Sequence, residues 1–387
     1  MPNITVLGAG LVGRIMALDL IRDKGMNVTV ADCNASALHK LKQDITLVLE
    51  PTVYCSLDTI CDDLSDQDVL RDVIKNADVV IGAMPGFLGY RTLRTVIEAR
   101  KSFADISFMP ENAMELDGLA KQNGVTAIVD CGVAPGLSNL FCGRATHMLD
   151  HVERMLILVG GLPKRRVWPF EYRIVFSPAD VIEEYTRPAR WIEGGQWVNK
   201  PALTDVELID LPGVGTLEAF NTDGLRSIGD NLNAPFMKEK TLRFPGHAEK
   251  MRMLRETGFF STDSINIGGQ NIRPFDVTTK LLFDAWKMPK DEEDFTVMRV
   301  IVEGTNGGIK KSYVWDLYDE YDPLTGFSSM ARTTGFPCAI IARMLAKGEL
   351  VQLGVVPPEL LGSNDVFFKR MIDGLSMRGI DIRLNEK

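Results

Sequence analysis

Histidine is scarce in this chain, with four in 387 residues, at positions 39, 147, 151 and 247. None stands at metal-ligand spacing. His147 and His151 are four apart, but no H-E-x-x-H pattern surrounds them, so no metal site is expected. The six cysteines (33, 55, 61, 131, 142 and 338) are scattered and contain no C-x-x-C pair. That argues against a zinc ribbon and a disulfide framework, and fits reduced thiols. Positive charge is not in excess either. A formal net charge of −9 speaks against nucleic-acid and membrane-surface partners. No apolar run approaches the ~18 residues that span a bilayer. Internal repeats and low-complexity linkers are lacking. Met1-Pro2-Asn3 leads straight into an apolar run, which leaves no room for a signal peptide, so a cytoplasmic location is expected.

What is present points to a nucleotide. The apolar run Ile4-Thr5-Val6-Leu7 is followed at once by Gly8-Ala9-Gly10-Leu11-Val12-Gly13. A second apolar run, Asn27 to Ala31, ends on Asp32. This is G-x-G-x-x-G in the frame strand, turn, helix, strand, acid. The first glycine permits the tight turn. The second lets the backbone approach a pyrophosphate, and the third lets helix and strand pack closely. Asp32 follows Gly13 by 19 residues, against the ~20 expected of an acid that bonds a ribose hydroxyl. A carboxylate there repels a 2′-phosphate, and Cys33 and Asn34 follow it, not an arginine. NAD is therefore expected, with NADP less favoured; Lys40 and Lys42 lie further along.

The length suggests two domains. Residues 1–130 alternate strand and helix: helices over Leu11–Asp23, Asn34–Gln43, 88–99 and 111–123, and strands near Thr59–Cys61, 77–84, 102–106 and 125–130. Ser65 reads as an N-cap with Asp68 behind it. The stretch 44–58 is ambiguous and is interrupted by Pro51. The pattern calls for an α/β fold, a Rossmann doubly wound parallel sheet. Beyond Pro135 the chain turns β-rich. A hairpin is clear at Val297–Glu303 and Ile309–Leu317, with Asn306-Gly307 at its turn. The tail holds helices at Ser328–Lys347 and Asp365–Arg378 and a short strand at Ile380–Leu384. The expected architecture is a Rossmann domain of 1–135 plus 326–387, interrupted by an α+β substrate-binding and dimerisation domain of 136–325.

Several segments resemble the saccharopine dehydrogenase-like family. They are Asp130–Asn139 (DCGVAPGLSN), Glu183–Arg190 (EEYTRPAR), Leu217–Arg226 (LEAFNTDGLR), Lys240–Met251 (KTLRFPGHAEKM) and Thr333–Pro337 (TTGFP). The resemblance spans nearly the whole chain, and within the family it leans to the L-lysine 6-dehydrogenase branch. It implies an NAD-dependent oxidoreductase acting on the CH–NH2 group of an amino acid, with oxidative deamination of the lysine ε-amine as the first reading. The other reading is a saccharopine- or carboxyspermidine-type enzyme acting on a secondary amine. It also implies a small-molecule amino-acid substrate and a homodimer.

Amine oxidation sets three demands on side chains. The ammonium must lose its proton, since only a free lone pair can push out hydride. His247, after Pro245-Gly246, and Asp105, at the end of a predicted strand, are the candidates. The substrate carboxylate calls for a cationic fork. Arg243 and Arg226 are the candidates, with ion pairing to Asp223 or Glu218 as the alternative use of either. Thr222 and Asp223 lie in the same motif and join the substrate-side set. Third, the cofactor must be held. Beside Gly8, Gly10, Leu11, Val12, Gly13 and Asp32, the turn at Met84-Pro85 and the segment with Cys131, Val133 and Ala134 are expected to contact it. Cys131 reads as a shape-filling neighbour there, not a nucleophile. Tyr185 and the tryptophans of the second domain read as core or dimer interface.

Overall fold

Six short strands run through the N-terminal third: β1 (Asn3–Leu7), β2 (Asn27–Asp32), β3 (Leu57–Cys61), β4 (Val79–Gly82), β5 (Ser102–Asp105) and β6 (Thr126–Ile128). All pair in parallel in the order β6-β5-β4-β1-β2-β3, and Gly354–Val356 adds a seventh strand outside β6. The central strands are apolar on both faces because helices cover both, as a parallel sheet requires; Ile4, Val6, Val80 and Ile81 are wholly buried. This is the doubly wound sheet that the sequence calls for. The computed structural model describes residues 1–23, 25–47, 57–174, 178–289 and 292–387. Pro51, Cys55 and most of the ambiguous 44–58 stretch lie outside the described residues.

Helix α1 (Gly13–Leu20) follows β1, and α2 (Ala35–Asp44) follows β2. Asn34 caps α2 by accepting from the amides of Ser36 and Ala37, a device worth about 1 kcal/mol. The cap expected at Ser65 falls instead on Asp66, whose carboxylate takes the amides of Asp68 and Val69 at 2.8 and 3.3 Å. A full negative charge suits a helix N-terminus better than a hydroxyl does. The helix expected over 111–123 divides into a 3-10 turn, Ala113–Leu116, and a helix, Asp117–Asn123.

The chain forms two compact units. The first comprises Met1–Met148, Asp322–Phe327 and Ala331–Ile382; the second comprises Leu149–Tyr321, Ser328–Met330 and Arg383–Lys387. The helix Leu137–Met148 joins the first because it packs on the turn Pro358–Leu361, where Asn139 Nδ2 donates to Glu359 Oε2 over 2.9 Å. The chain end joins the second because Lys387 and Ser312 exchange two backbone hydrogen bonds of 2.9 and 3.0 Å.

The second unit is built on a mixed sheet. The strand His151–Pro163 lies between Asp294–Asn306, antiparallel to it, and Phe236–Arg243, parallel to it. Gly215–Asn221 and Glu207–Leu211 continue one side, and the hairpin partner Ile309–Glu320 continues the other. A cluster of Tyr172, Ile182, Tyr185, Phe220, Met251 and Trp286 forms one of its cores. No helix among the described residues is long and apolar enough to cross a membrane.

Candidate functional site

The glycine loop sits where β1 ends. Gly8 turns at φ +106°. Gly13 is pressed so closely on it that a Cβ there would lie 2.1 Å from the Gly8 carbonyl oxygen. Gly10 is the reverse case: a Cβ built on it meets nothing within 4 Å. Open space at the second glycine is what a backbone needs to receive a pyrophosphate. Helix α1 begins here without a side-chain cap at Val12, so its positive end faces the loop unneutralised. Leu11 stands exposed beside it. Asp32 closes the arrangement: its carboxylate takes the Ala9 amide at 2.6 Å and the Asn34 amide at 2.7 Å. Both oxygens are fixed, and each keeps a further lone pair for a ribose hydroxyl. The residues present therefore fit a dinucleotide.

Met84 and Pro85 follow β4 directly, Met84 half-buried against the core and Pro85 exposed. At the end of β5, Asp105 is wholly buried. Its Oδ1 accepts from the Ser107 amide and hydroxyl, at 3.2 and 2.7 Å, while Oδ2 has no partner. Burial pushes its pKa up to about 7, with the Asp130 charge adding and the Ser107 hydrogen bonds opposing. The Cys131 amide donates to the Asp105 carbonyl over 2.8 Å, which sets these two residues side by side. The Cys131 thiol is buried, and burial first, then Cys338, drives its pKa well up, which disfavours the thiolate. Val133 is buried and Ala134 half-buried in the loop that follows.

In the second unit the substrate-side candidates gather around the strand Phe236–Arg243. Arg243 is buried and its Nη2 donates to Glu184 Oε2 over 2.5 Å. Its Nη1 donates to the Leu242 carbonyl, and its Nε has no partner. The guanidinium lies 4.8 Å from the Tyr172 ring centre. Burial opposes its charge most, but Glu184 together with Tyr185 and Tyr172 outweighs that and keeps it protonated. Its ion-pair partner is thus Glu184, not Asp223 or Glu218. Asp223 instead accepts from Arg190 at 3.0 and 3.4 Å. Glu218 faces Arg243 in the strand register, yet its carboxylate takes the amides of Gly246 and Ala248 and so caps the next helix, His247–Glu256.

That cap places His247 on the first turn of the helix, fully inside the protein. Its Nδ1 faces the Phe170 carbonyl at 3.0 Å and its Nε2 faces the Tyr185 hydroxyl at 2.9 Å. Burial first, then the Arg243 charge, pushes its pKa down to about 3. Thr222 is also buried; its hydroxyl donates to Glu239 Oε2 at 2.5 Å and sits 2.8 Å from the Thr241 hydroxyl. Arg226 is half-buried in the turn beyond, at φ +52°. Three residues not singled out from the sequence belong to this cluster, Tyr172, Glu184 and Glu239, and so does Tyr185, which the sequence reading left as core or dimer interface. Burial, with Glu184 and Asp223 adding, pushes Glu239 up to about 8 against its Thr222 hydrogen bond. The period-two alternation of Glu239, Thr241 and Arg243 along one strand was the available signal. Among the described residues no group of histidine, cysteine and acidic side chains is arranged to hold a metal ion.

Residues 4–128 match the model of the saccharopine dehydrogenase NADP binding domain, and residues 132–380 match that of the saccharopine dehydrogenase C-terminal domain. The chain belongs to the saccharopine dehydrogenase family. The chain is 22% identical to the saccharopine dehydrogenase (NADP(+), L-glutamate-forming) of Pyricularia oryzae, over 95% of this chain and 96% of that one. It is equally similar, at 22%, to the carboxynorspermidine synthase of Vibrio cholerae, over 95% and 94% of the two chains. The mitochondrial alpha-aminoadipic semialdehyde synthase of Mus musculus matches 92% of this chain at 22% identity, and the chain spans only 45% of that relative's length. The fold agrees with that of apo saccharopine dehydrogenase from Saccharomyces cerevisiae at a TM-score of 0.79, with 17% identity and all of both chains covered. The first unit is thus the NAD(P)-binding Rossmann fold of this family.

Proposed function

We propose that this protein is an NAD-dependent oxidoreductase acting on the C–N bond of an amino acid, with the ε-amine of L-lysine as its substrate. The cofactor part of the reading is carried by the pairing of an open glycine loop with the tethered Asp32 carboxylate, and membership of the saccharopine dehydrogenase family supports action on a C–N bond. Although the matching domain model is that of an NADP binding domain, a carboxylate held at this position disfavours a 2′-phosphate. The cofactor, when bound, accepts a hydride at its nicotinamide. Asp105 takes the proton-transfer role, because its Oδ2 is unpartnered and its pKa lies near neutrality. In this assignment His247 positions Tyr185 and the helix that starts beside Arg243. Arg243 presents a charge fixed by Glu184, and its unmatched Nε–H is the donor for a carboxylate.

The names of the relatives favour a second reading, oxidation or formation of a secondary amine, as in saccharopine and carboxynorspermidine chemistry. One assay separates the two. Purified protein is given NAD or NADP with L-lysine, L-ornithine or saccharopine at alkaline pH, and reduced nicotinamide is followed by absorbance. Turnover of lysine with NAD supports the first reading. Turnover of saccharopine alone replaces it with the second, and a preference for NADP overturns the role given to Asp32.

A further inference from the structure

Two described cysteines, Cys33 and Cys61, are exposed; Cys131, Cys142 and Cys338 are buried. The exposed pair comes from neighbouring parallel strands. The register sets Asp32 opposite Cys61, so Cys33 lies one residue further along the same gap. β2 ends at Asp32, so Cys33 is the first residue of the turn beyond it and stands next to the strand end that carries Cys61. The Cys61 thiol already leans across: Sγ donates to the Cys33 carbonyl oxygen at 3.7 Å. Beyond it, the Asp62 amide donates to the Asp32 carbonyl at 3.2 Å, which ties the two strand ends together.

We propose that Cys33 and Cys61 form a modification site, a dithiol that closes reversibly to a disulfide across the ends of β2 and β3 with a peroxide as oxidant. One thiolate attacks a peroxide oxygen. The O–O bond breaks, a sulfenic acid forms, and the departing oxygen leaves as water once protonated. The second thiol then displaces the sulfenic hydroxyl as a second water, forming the S–S bond. Two thiols lose two electrons and two protons, and one peroxide is reduced to two waters. The site has a consequence that rests on the cofactor reading above. The Asp32 carboxylate is anchored to the Asn34 amide, one residue past Cys33. Drawing Cys33 toward Cys61 moves that turn, so the oxidised protein binds the dinucleotide more weakly.

The test exposes the full chain to hydrogen peroxide, blocks remaining thiols and maps the digested peptides by mass. A Cys33–Cys61 cross-linked peptide is expected, reversed by dithiothreitol and missing from Cys33→Ser and Cys61→Ser. A cross-link through Cys55, or oxidation of single thiols without a cross-link, overturns the assignment. NADH affinity, read by fluorescence, is expected to weaken about tenfold on oxidation and to stay unchanged in peroxide-treated Cys33→Ser. An unchanged affinity in the cross-linked protein overturns the coupling to the cofactor. NADH that binds in neither state sinks the cofactor reading itself, while the peptide map decides the thiol pair independently.

Discussion

The Tyr185 hydroxyl donates to Nε2 of His247 over 2.9 Å, while Nδ1 of the same ring faces the Phe170 carbonyl at 3.0 Å. A carbonyl only accepts, so Nδ1 carries the proton and Nε2 is the acceptor. The ring is neutral and has no nitrogen to spare. Its folded pKa of about 3 lies below the ~6.5 of an unfolded histidine. The sign follows. Below pH ~6.5 the unfolded chain takes a proton that the fold refuses, so stability drops as pH falls, by up to about 1.4 kcal/mol per pH unit. His247→Gln removes that slope. The variant is expected to be less stable than wild type near pH ~8, with the gap narrowing steadily as pH falls through the histidine range. Urea unfolding across pH checks this; a constant gap would mean that the folded ring titrates normally.

Arg243 and Glu184 make the second prediction. The Arg243 side chain is only 3% exposed, against 20% for Glu184. Removing the cation takes its charged ion-pair partner away from a largely buried carboxylate, a change that typically costs about 3–5 kcal/mol. Arg243→Leu is expected to lose that much by urea unfolding, and Arg243→Leu/Glu184→Leu to regain a good part of it. A loss below ~1 kcal/mol for the single variant would place the pair with exposed ion pairs instead.

The sequence made the first unit legible because its signals are local. The Ile4–Leu7 run, the glycine turn and Asp32 lie within one strand-helix-strand unit, and the structure joins them by short bonds such as Ala9 to Asp32. The second unit hid its logic in long-range pairing. The strand Phe236–Arg243 carries Lys238, Glu239, Lys240 and Arg243, all buried, and charges in that density read as surface. Each is rescued by a partner from elsewhere: Lys238 by Asp205, Lys240 by Glu207, Glu239 by Thr222, Arg243 by Glu184. Those partners lie 17 to 59 residues away, beyond the reach of any periodicity. Glu218 illustrates the same limit. It faces Arg243 across the sheet and so invites pairing, but two helix amides claim its carboxylate.

The glycine loop gives a paired test, because its glycines are needed for different reasons. At Gly13 a methyl group would sit 2.1 Å from a backbone oxygen, whereas at Gly10 it would meet nothing within 4 Å. Gly13→Ala is therefore expected to destabilise the apo protein by about 1–3 kcal/mol, the range for overpacking a tight contact. Gly10→Ala is expected to leave thermal unfolding of the apo protein within about 0.5 kcal/mol of wild type. It should nonetheless weaken NADH binding at least tenfold, since its methyl occupies the space left for the pyrophosphate. Unimpaired NADH binding by Gly10→Ala would move the cofactor away from this loop.

Asp105 separates stability from function. Its folded pKa is raised from 3.8 to about 7, chiefly by burial. Below pH ~4 the folded and unfolded chains both hold the proton, and nothing is lost. Between ~4 and ~7 the unfolded carboxyl ionises while the buried one resists, so stability falls as pH rises, by up to about 1.4 kcal/mol per unit. Asp105→Asn keeps an Oδ1 acceptor for Ser107 and cannot ionise. It is expected to be more stable than wild type at neutral pH, with the advantage closing toward pH ~4. If Asp105 moves the substrate proton, the same change lowers kcat by at least ~100-fold. A stabilised and inactive variant would show that the unpartnered oxygen is retained for chemistry at a cost to the fold. A stabilised variant with full activity would assign the proton transfer to another group, and Glu239, with its pKa pushed up to about 8, would be the next to replace.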